Sequence, residues 1–514
     1  MKAHLALASV VIGCAGAERA PAQSTFIMHF DSVQLGYPGT AYCIVEVPLG
    51  YMITGLQASP DTLNQARVFF RTIDQQGVVT GERQVWNGID NGFNLLNVVP
   101  VNPGDTTFVG SLVRFDPDDY FVDRTLQFAA FTAEGDTVFT RTISAPSTMD
   151  SITFNMNETT ALSDGGYAMA GWTQHTLGAD VQAQGWLLRL DENGDTLWTK
   201  QIGPAEQYVE AYSLREFLNG GLSVTGIRSD GTPQDNSFLQ RYDSLGSLLW
   251  TRYYGAQGGG SPPTVRVTQD SCLLTWSSFR ISNWNPPQYK VLNLRKWDAN
   301  GNLLWSQLTE ARGQEMSPQD MEVLPDGNII CGAGYFGSTG LWKFNSEGDS
   351  LWLRRYNVFQ GLGGGFTTPH DVLPTSDGGF AICGDSQQGQ GDPHPGRYTW
   401  FVIKTDSLGC VVPGCQYVGL AENVIGLENT LKVYPNPSDG LFTLELALPE
   451  TLTLSGDLTV QVFDAQGRLV ERRNLGKQFQ QRVSLDLTAQ PAGLYSAHLS
   501  DGKRILTGAR LVIE

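Results

Sequence analysis

Asp191-Glu192-Asn193-Gly194-Asp195-Thr196-Leu197-Trp198 recurs with its spacing intact along much of this 514-residue chain. The pattern Asp-x-x-Gly-x-x-x-Trp returns at Asp243…Gly246…Trp250 and Asp298…Gly301…Trp305, with a near copy at Asn345…Gly348…Trp352. Weaker copies are Asp74…Gly77, Thr132…Gly135…Phe139 and Asp406…Gly409, and successive glycines lie 58, 59, 52, 55, 47 and 61 residues apart. Asp suits the first position of a turn and Gly the positive-φ position that ends it, so each copy reads as the corner of a hairpin.

A second corner precedes each copy, as in Ser163-Asp164-Gly165-Gly166-Tyr167, Asn219-Gly220-Gly221, Pro325-Asp326-Gly327 and Ser376-Asp377-Gly378-Gly379-Phe380. Two hairpin signals within a period of about fifty residues fit a four-stranded blade, and the repeats imply an all-β, β-propeller array over 23–417. Seven units are countable. The degenerate stretch Tyr42–Ser144 leaves six or eight open. The last unit lacks its final strand, and Thr25–Phe30 is expected to supply it, closing the ring so that no edge stays open. Trp198, Trp250, Trp305 and Trp352 are expected to pack against neighbouring blades rather than grip a ligand, because they repeat in unit after unit.

Composition agrees. Charged residues are only 17% of the chain and glycines number 58, as suits strands and turns. The formal charge of −18 disfavours nucleic acid and anionic membranes as partners. Met1-Lys2, the apolar stretch Leu5–Gly16 and Ala20-Pro21-Ala22 have the layout of a signal peptide over 1–22 cleaved after Ala22. Val11-Ile12-Gly13-Cys14 resembles a lipobox, leaving a lipid anchor at Cys14 as the rival. No later run is long enough for a transmembrane helix. Removal of the leader leaves six cysteines. Cys410 and Cys415 flank a short turn suited to a local disulfide, whereas Cys331 and Cys383 sit in equivalent Ile-Cys-Gly contexts as small buried residues.

Residues 418–431 lack pattern and read as a linker. Beyond them, Leu441–Leu446 and Leu458–Phe463 alternate with the period of half-buried strands, implying a small Ig-like β-sandwich. Three motifs punctuate this tail: Tyr434-Pro435-Asn436-Pro437 with Gly440, Asp464-Ala465-Gln466-Gly467-Arg468, and Pro491-Ala492-Gly493-Leu494-Tyr495. In that order they resemble the type A C-terminal sorting domain of the Bacteroidota type IX secretion system, over 432–514. The resemblance implies export through that machinery, removal of the tail by a sorting protease, and a mature protein released or held on the cell surface.

The repeat itself is less telling about activity. Its spacing departs from sialidase Asp-boxes, and quinoprotein dehydrogenase repeats, which it resembles, come with a calcium-and-quinone site that nothing here picks out. Outer-membrane assembly propellers resemble it too, and serve as scaffolds. No Gly-x-Ser-x-Gly elbow, His-Glu-x-x-His helix or Gly-x-x-x-x-Gly-Lys loop occurs, so no catalytic residue, metal site or cofactor is expected. His370-Asp371, Asp392-Pro393-His394 and Asp116–Asp119 read as solvated loop residues. The segments Gln174–Gln184, Arg280–Tyr289 and Ser386–Arg397 are expected to form long loops at one edge of the propeller, with Trp284 and Tyr289 an aromatic tip for ligand. The expected function is a secreted or surface binding propeller for a glycan, peptide or protein. A secreted hydrolase or lyase acting on extracellular polymer is the alternative.

Overall fold

The computed structural model describes residues 24–30, 39–58, 66–85, 92–94, 97–101, 106–115, 125–144, 153–177, 180–204, 207–217, 219–229, 237–254, 262–280, 290–309, 317–356, 358, 365–387, 398–411, 431–448, 454, 456–464, 468–501 and 505–514. Every regular element among them is a β-strand.

The described repeats form seven antiparallel blades. Blade I begins with the strand Gly39–Val47, blade III with Thr153–Ala161, blade IV with Tyr208–Phe217 and blade V with Thr264–Val267. Blades VI and VII begin with Ser317–Val323 and Phe366–Pro374. In blade II this first strand is broken into Gly92–Asn94 and Val98–Pro100, both paired to Thr107–Phe115. The degenerate sequence of units one and two therefore hides two further blades. Blade VII is completed from the far end of the chain: Phe26–Phe30 pairs antiparallel with Tyr398–Thr405, placing Phe26 opposite Lys404 and Phe30 opposite Trp400.

Seven apolar clusters hold the ring, each shared by two adjacent blades. Phe70 of blade I meets Phe108 and Phe131 of blade II, and Phe128 meets Phe154 and Trp186 between blades II and III. Further round, Leu187 meets Phe238, Leu239 meets Trp297, and Trp276 meets Trp342. Leu341 packs with Phe401, and Trp400 with Tyr51 and Phe69 across the seam between blades VII and I. A blade alone has two apolar faces and cannot bury both, which is why the array closes into a ring.

The Asp-x-x-Gly-x-x-x-Trp corner works as an interlock. Asp243 Oδ1 accepts from the Leu245 and Ser247 amides at 2.9 and 2.7 Å, and Asp298 repeats this with Asn300 and Asn302. The seven corner glycines have φ between +74° and +85°. A Cβ on Gly246 would lie 3.0 Å from the Trp198 ring of the preceding blade, and one on Gly301 equally close to Trp250. Trp250 Nε1 donates to Ala299 O (3.1 Å) in that next corner. Each corner thus needs glycine for its left-handed turn, and at Gly246, Gly301, Gly348 and Gly409 also for the indole pressed on it. Gly301→Ala is expected to cost about 1–2 kcal/mol, read as a lowered midpoint in urea denaturation.

The tail is a sandwich of two sheets. Leu431–Tyr434, Leu441–Ala447 and Gln480–Asp486 form one, while Leu469–Gly476, Leu458–Asp464, Gly493–Ser500 and Ile505–Ile513 form the other. Leu444, Val460, Val462, Leu485 and Leu499 fill the core between them.

Candidate functional site

The first strand of each blade lines a central cavity of about 550 Å³. In five blades this strand carries a β-bulge, between Ala41 and Cys43, Met156 and Glu158, Ala211 and Ser213, Pro318 and Met321, and Pro369 and Asp371. A bulge leaves one residue out of the ladder and re-aims the side chains around it. Tyr42, Asn157, Tyr212, Gln319 and His370 are those displaced residues, and all line the cavity, as does Pro263 at the matching place in blade V.

The residue that follows the displaced one reaches sideways to the next blade. Cys43 donates its thiol to Val98 O (3.4 Å), and Asn97 accepts from the Thr159 amide (2.9 Å). Glu158 accepts from Leu214 N (2.8 Å) and Ser213 from Val265 N (3.2 Å). Thr264 donates to Gln319 O (2.5 Å), Asp320 accepts from Val372 N (3.1 Å), and Asp371 accepts from Ile44 N (2.9 Å). These are seven clasps around the ring, one at each blade boundary.

Two arginines of the same strands tie the carboxylates together. Arg266 bonds to Asp320 (2.5 Å) and Glu322 (2.7 Å) and lies 3.9 Å from Glu158. Arg215 pairs with Glu158 and lies 3.6 Å from Glu322. Three carboxylates thus surround two guanidiniums, and Asp371 lies beside Asp320. Burial pushes Asp320 up to about 7, with Arg266 pulling against it and Asp371 adding to the rise. Asp371 and Glu322 are raised by burial as well. Burial also works against Glu158, but Arg215 and Arg266 outweigh it and hold that carboxyl below its usual range.

The Asp320 shift has a definite sign. Its folded form holds a proton that the unfolded chain releases near pH 4, so its stabilising contribution is complete below that pH and is lost as pH rises towards 7. Denaturation midpoints of the wild type should therefore fall from pH 4 to pH 7 more steeply than those of Asp320→Asn. Equal slopes would refute a retained proton at this position.

His370 is on the first strand of blade VII and not in a solvated loop, correcting the sequence expectation. Its Nε2 is 2.8 Å from Asp385 Oδ2, and its ring meets Tyr42 edge-on at 4.9 Å across the ring seam. Asp371 is likewise a strand residue, half-buried. Glu210, buried beside the cavity, accepts from Tyr208 and Tyr212, and burial followed by that carboxylate pushes both phenols up. Among the described residues, no group of three or more His, Cys, Asp or Glu side chains is placed to hold a metal ion.

Gln174–Gln184 is also not a long loop: Tyr167–Leu177 and Asp180–Leu190 pair continuously up to Leu177 opposite Asp180. Trp284 and Tyr289 lie outside the described residues, as do Ala22, Cys14, Cys415, Asp392–His394, Asp116–Asp119 and Gly467. Cys410 is disulfide-bonded, while Cys43, Cys272, Cys331 and Cys383 are free and buried. Trp198, Trp250, Trp305 and Trp352 are on the outer strands, half-buried.

In the tail, Asn436 grips the last strand twice, donating to Arg510 O (2.6 Å) and accepting from Val512 N (2.9 Å). Ser438 N donates to Val512 O and Glu514 N to Ser438 O, both at 3.0 Å. Tyr434, between Leu431 and Pro435, donates to Glu445 (2.8 Å), and Pro437 follows Asn436 through a cis bond. Gly440 takes φ +106° where a Cβ would strike Thr488. Arg468 pairs with Asp464 (2.7 Å), and Tyr495, two residues after Gly493, donates to Pro491 O (2.7 Å). The three motifs are thus corners that pin strands, the first of them to the C-terminal strand.

Residues 432–514 match the family of secretion system C-terminal sorting domains, which supports type IX secretion cargo and implies export out of the cell or onto its surface. Among the described residues no helix is long and apolar enough to cross a membrane. No curated protein matches the chain. Solved structures resemble it at low identity. The β-propeller domain of the Trilobed protease from Pyrococcus furiosus is 8% identical with a TM-score of 0.39, covering 71% of this chain and 93% of its own. The α-L-arabinofuranosidase Arb93A from Fusarium graminearum, solved with an iminosugar inhibitor, is 13% identical at 0.39, covering 61% and 92%. Prolyl oligopeptidase B from Galerina marginata is 8% identical at 0.38, covering 80% and 56%.

Proposed function

We propose that this chain is an exported, non-enzymatic propeller that binds an extracellular glycan, peptide or surface protein at its central channel. One observation carries the reading: Glu158, Asp320 and Asp371 are each committed to the amide of the next blade, and Glu158, Asp320 and Glu322 to an arginine. Carboxylates engaged in this way hold the ring and are poor candidates for general acid or base. On this reading the leader 1–22 is cleaved after Ala22, Cys410 bridges Cys415, and the tail is removed within 418–431. Trp284 and Tyr289 then add an aromatic margin to the binding face, and the mature protein is released or surface-attached.

A secreted hydrolase or lyase is the second reading, favoured by the His370–Asp385 pair opening on the same cavity as the proton-holding Asp320. Incubating the purified protein with a panel of polysaccharides and proteins separates the two. Retention without new chain ends is the expected result. New ends that vanish in His370→Ala would establish the enzyme.

A further inference from the structure

We propose, resting on the binding reading, that the channel receives an uncharged, hydroxyl-rich ligand, the end of a neutral glycan, at the ring of Tyr42, Asn157, Tyr212, Pro263, Gln319 and His370. Each of these residues comes from a different blade, five at the same place in the first strand and Pro263 immediately before it, so they face one ligand from around the axis. Five of the six are bulge residues released from the ladder. A bulge aims a side chain at the cost of a pairing, so its repetition around a cavity marks a built lining.

The chemistry of this ring differs from that of the next residue along each strand. Glu158, Asp320 and Asp371 follow their bulge residues directly and are turned to neighbouring blades. Arg215, Arg266 and Glu322 come two residues further on. Acids, arginines and amides thus saturate one another there, while the ring carries two amides, two phenols, an imidazole and a proline. Asn157 and Gln319 each spend one amide N–H within the fold, on Ala211 O (2.7 Å) and Ser317 Oγ (2.9 Å), and Tyr212 donates to Glu210. An amide has a second N–H and an oxygen acceptor, and a phenol an acceptor, to offer sugar hydroxyls. Aromatic rings supply flat apolar faces for the C–H face of a sugar, and the Tyr42 and His370 rings already meet at 4.9 Å. His370 is held by Asp385 through its Nε2 (2.8 Å), which fixes the ring against the cavity.

Charge selects against the other candidates. Both arginines of the wall are committed to its own carboxylates, Arg215 to Glu158 and Arg266 to Asp320 and Glu322, which leaves neither open to pair with uronates, sulfated sugars or acidic peptides. A basic peptide would need open carboxylates, and those present are engaged. The cavity, about 550 Å³, lies within the usual size range of small-ligand sites.

The test is calorimetry on the full-length protein with neutral gluco-, manno- and xylo-oligosaccharides, with oligouronates and with a lysine-rich peptide. At least one neutral oligosaccharide should bind, and Tyr42→Ala and Gln319→Ala should each weaken it about tenfold or more. Gln319→Ala removes no clasp side chain and should keep the wild-type melting temperature, so it decides the matter if Tyr42→Ala fails to fold. Binding of uronate or peptide alone, or neutral binding indifferent to Gln319→Ala in a folded protein, overturns the glycan assignment while the binding reading survives. Absence of binding to all probes overturns the assignment as well. Cleavage of a neutral oligosaccharide overturns the binding reading itself.

Discussion

Arg266→Ala should destabilise the propeller by about 3–5 kcal/mol, the usual cost of stripping one partner from a buried ion pair. The guanidinium is almost fully buried and meets Asp320 and Glu322 at 2.5 and 2.7 Å, with Glu158 at 3.9 Å. Without it, three carboxylates share only Arg215, and those nearest the gap must take up protons or stay charged with little compensation. Asp320 also holds the Val372 amide, so the loss reaches the clasp between blades VI and VII. Urea denaturation at pH 7 reads the effect directly. The loss should shrink at pH 4, where the abandoned acids are protonated. A change below about 1 kcal/mol would show that the network is solvated and contributes like a surface pair.

Truncation after Thr430 should abolish export, leaving a folded protein inside the cell envelope. The removed segment contains the sorting domain and every residue that pins its last strand. The two parts have separate cores, Leu444, Val460 and Leu499 in the tail and seven inter-blade clusters in the ring, so the cut takes nothing from the propeller cores. Fractionation with an antibody to the propeller reads the location, and thermal melting of the retained form reads its fold. Truncated protein in the medium at wild-type level would show that the tail does not direct export. Asn436→Ala should reproduce part of the defect, because that side chain holds the C-terminal strand by two hydrogen bonds.

Much of the architecture was legible because turns are written locally. The corner at Asp243–Gly246 follows from an aspartate that caps its own turn and a glycine that accepts positive φ. The closing strand Phe26–Phe30 could be inferred because the last unit came up one strand short and a ring cannot leave that edge open. The tail motifs were legible for the same reason, each being a corner with its own residues.

The channel was not legible, although a trace of it exists. Tyr42-Cys43-Ile44, Asn157-Glu158-Thr159, Tyr212-Ser213-Leu214, Gln319-Asp320-Met321 and His370-Asp371-Val372 place an uncharged hydrogen-bonding residue and then a clasp residue at one position in five blades. Read singly, such pairs look like breaks in a strand, which is why His370 and Asp371 read as loop residues. Aligned on the repeat they form a third signature, and its meaning depends on the bulge that turns consecutive side chains to different tasks.

By itself the sequence determined what depends on near neighbours along the chain: the hairpin corners, the period, the strand that closes the ring and the sorting tail. Only the tertiary structure decided what depends on distant strands converging. Glu158, Arg215, Arg266, Asp320 and Asp371 come from five blades, and nothing in their local sequence says that they share one buried cavity. Their protonation follows from that convergence, because burial and the fields of residues far away in the chain set it.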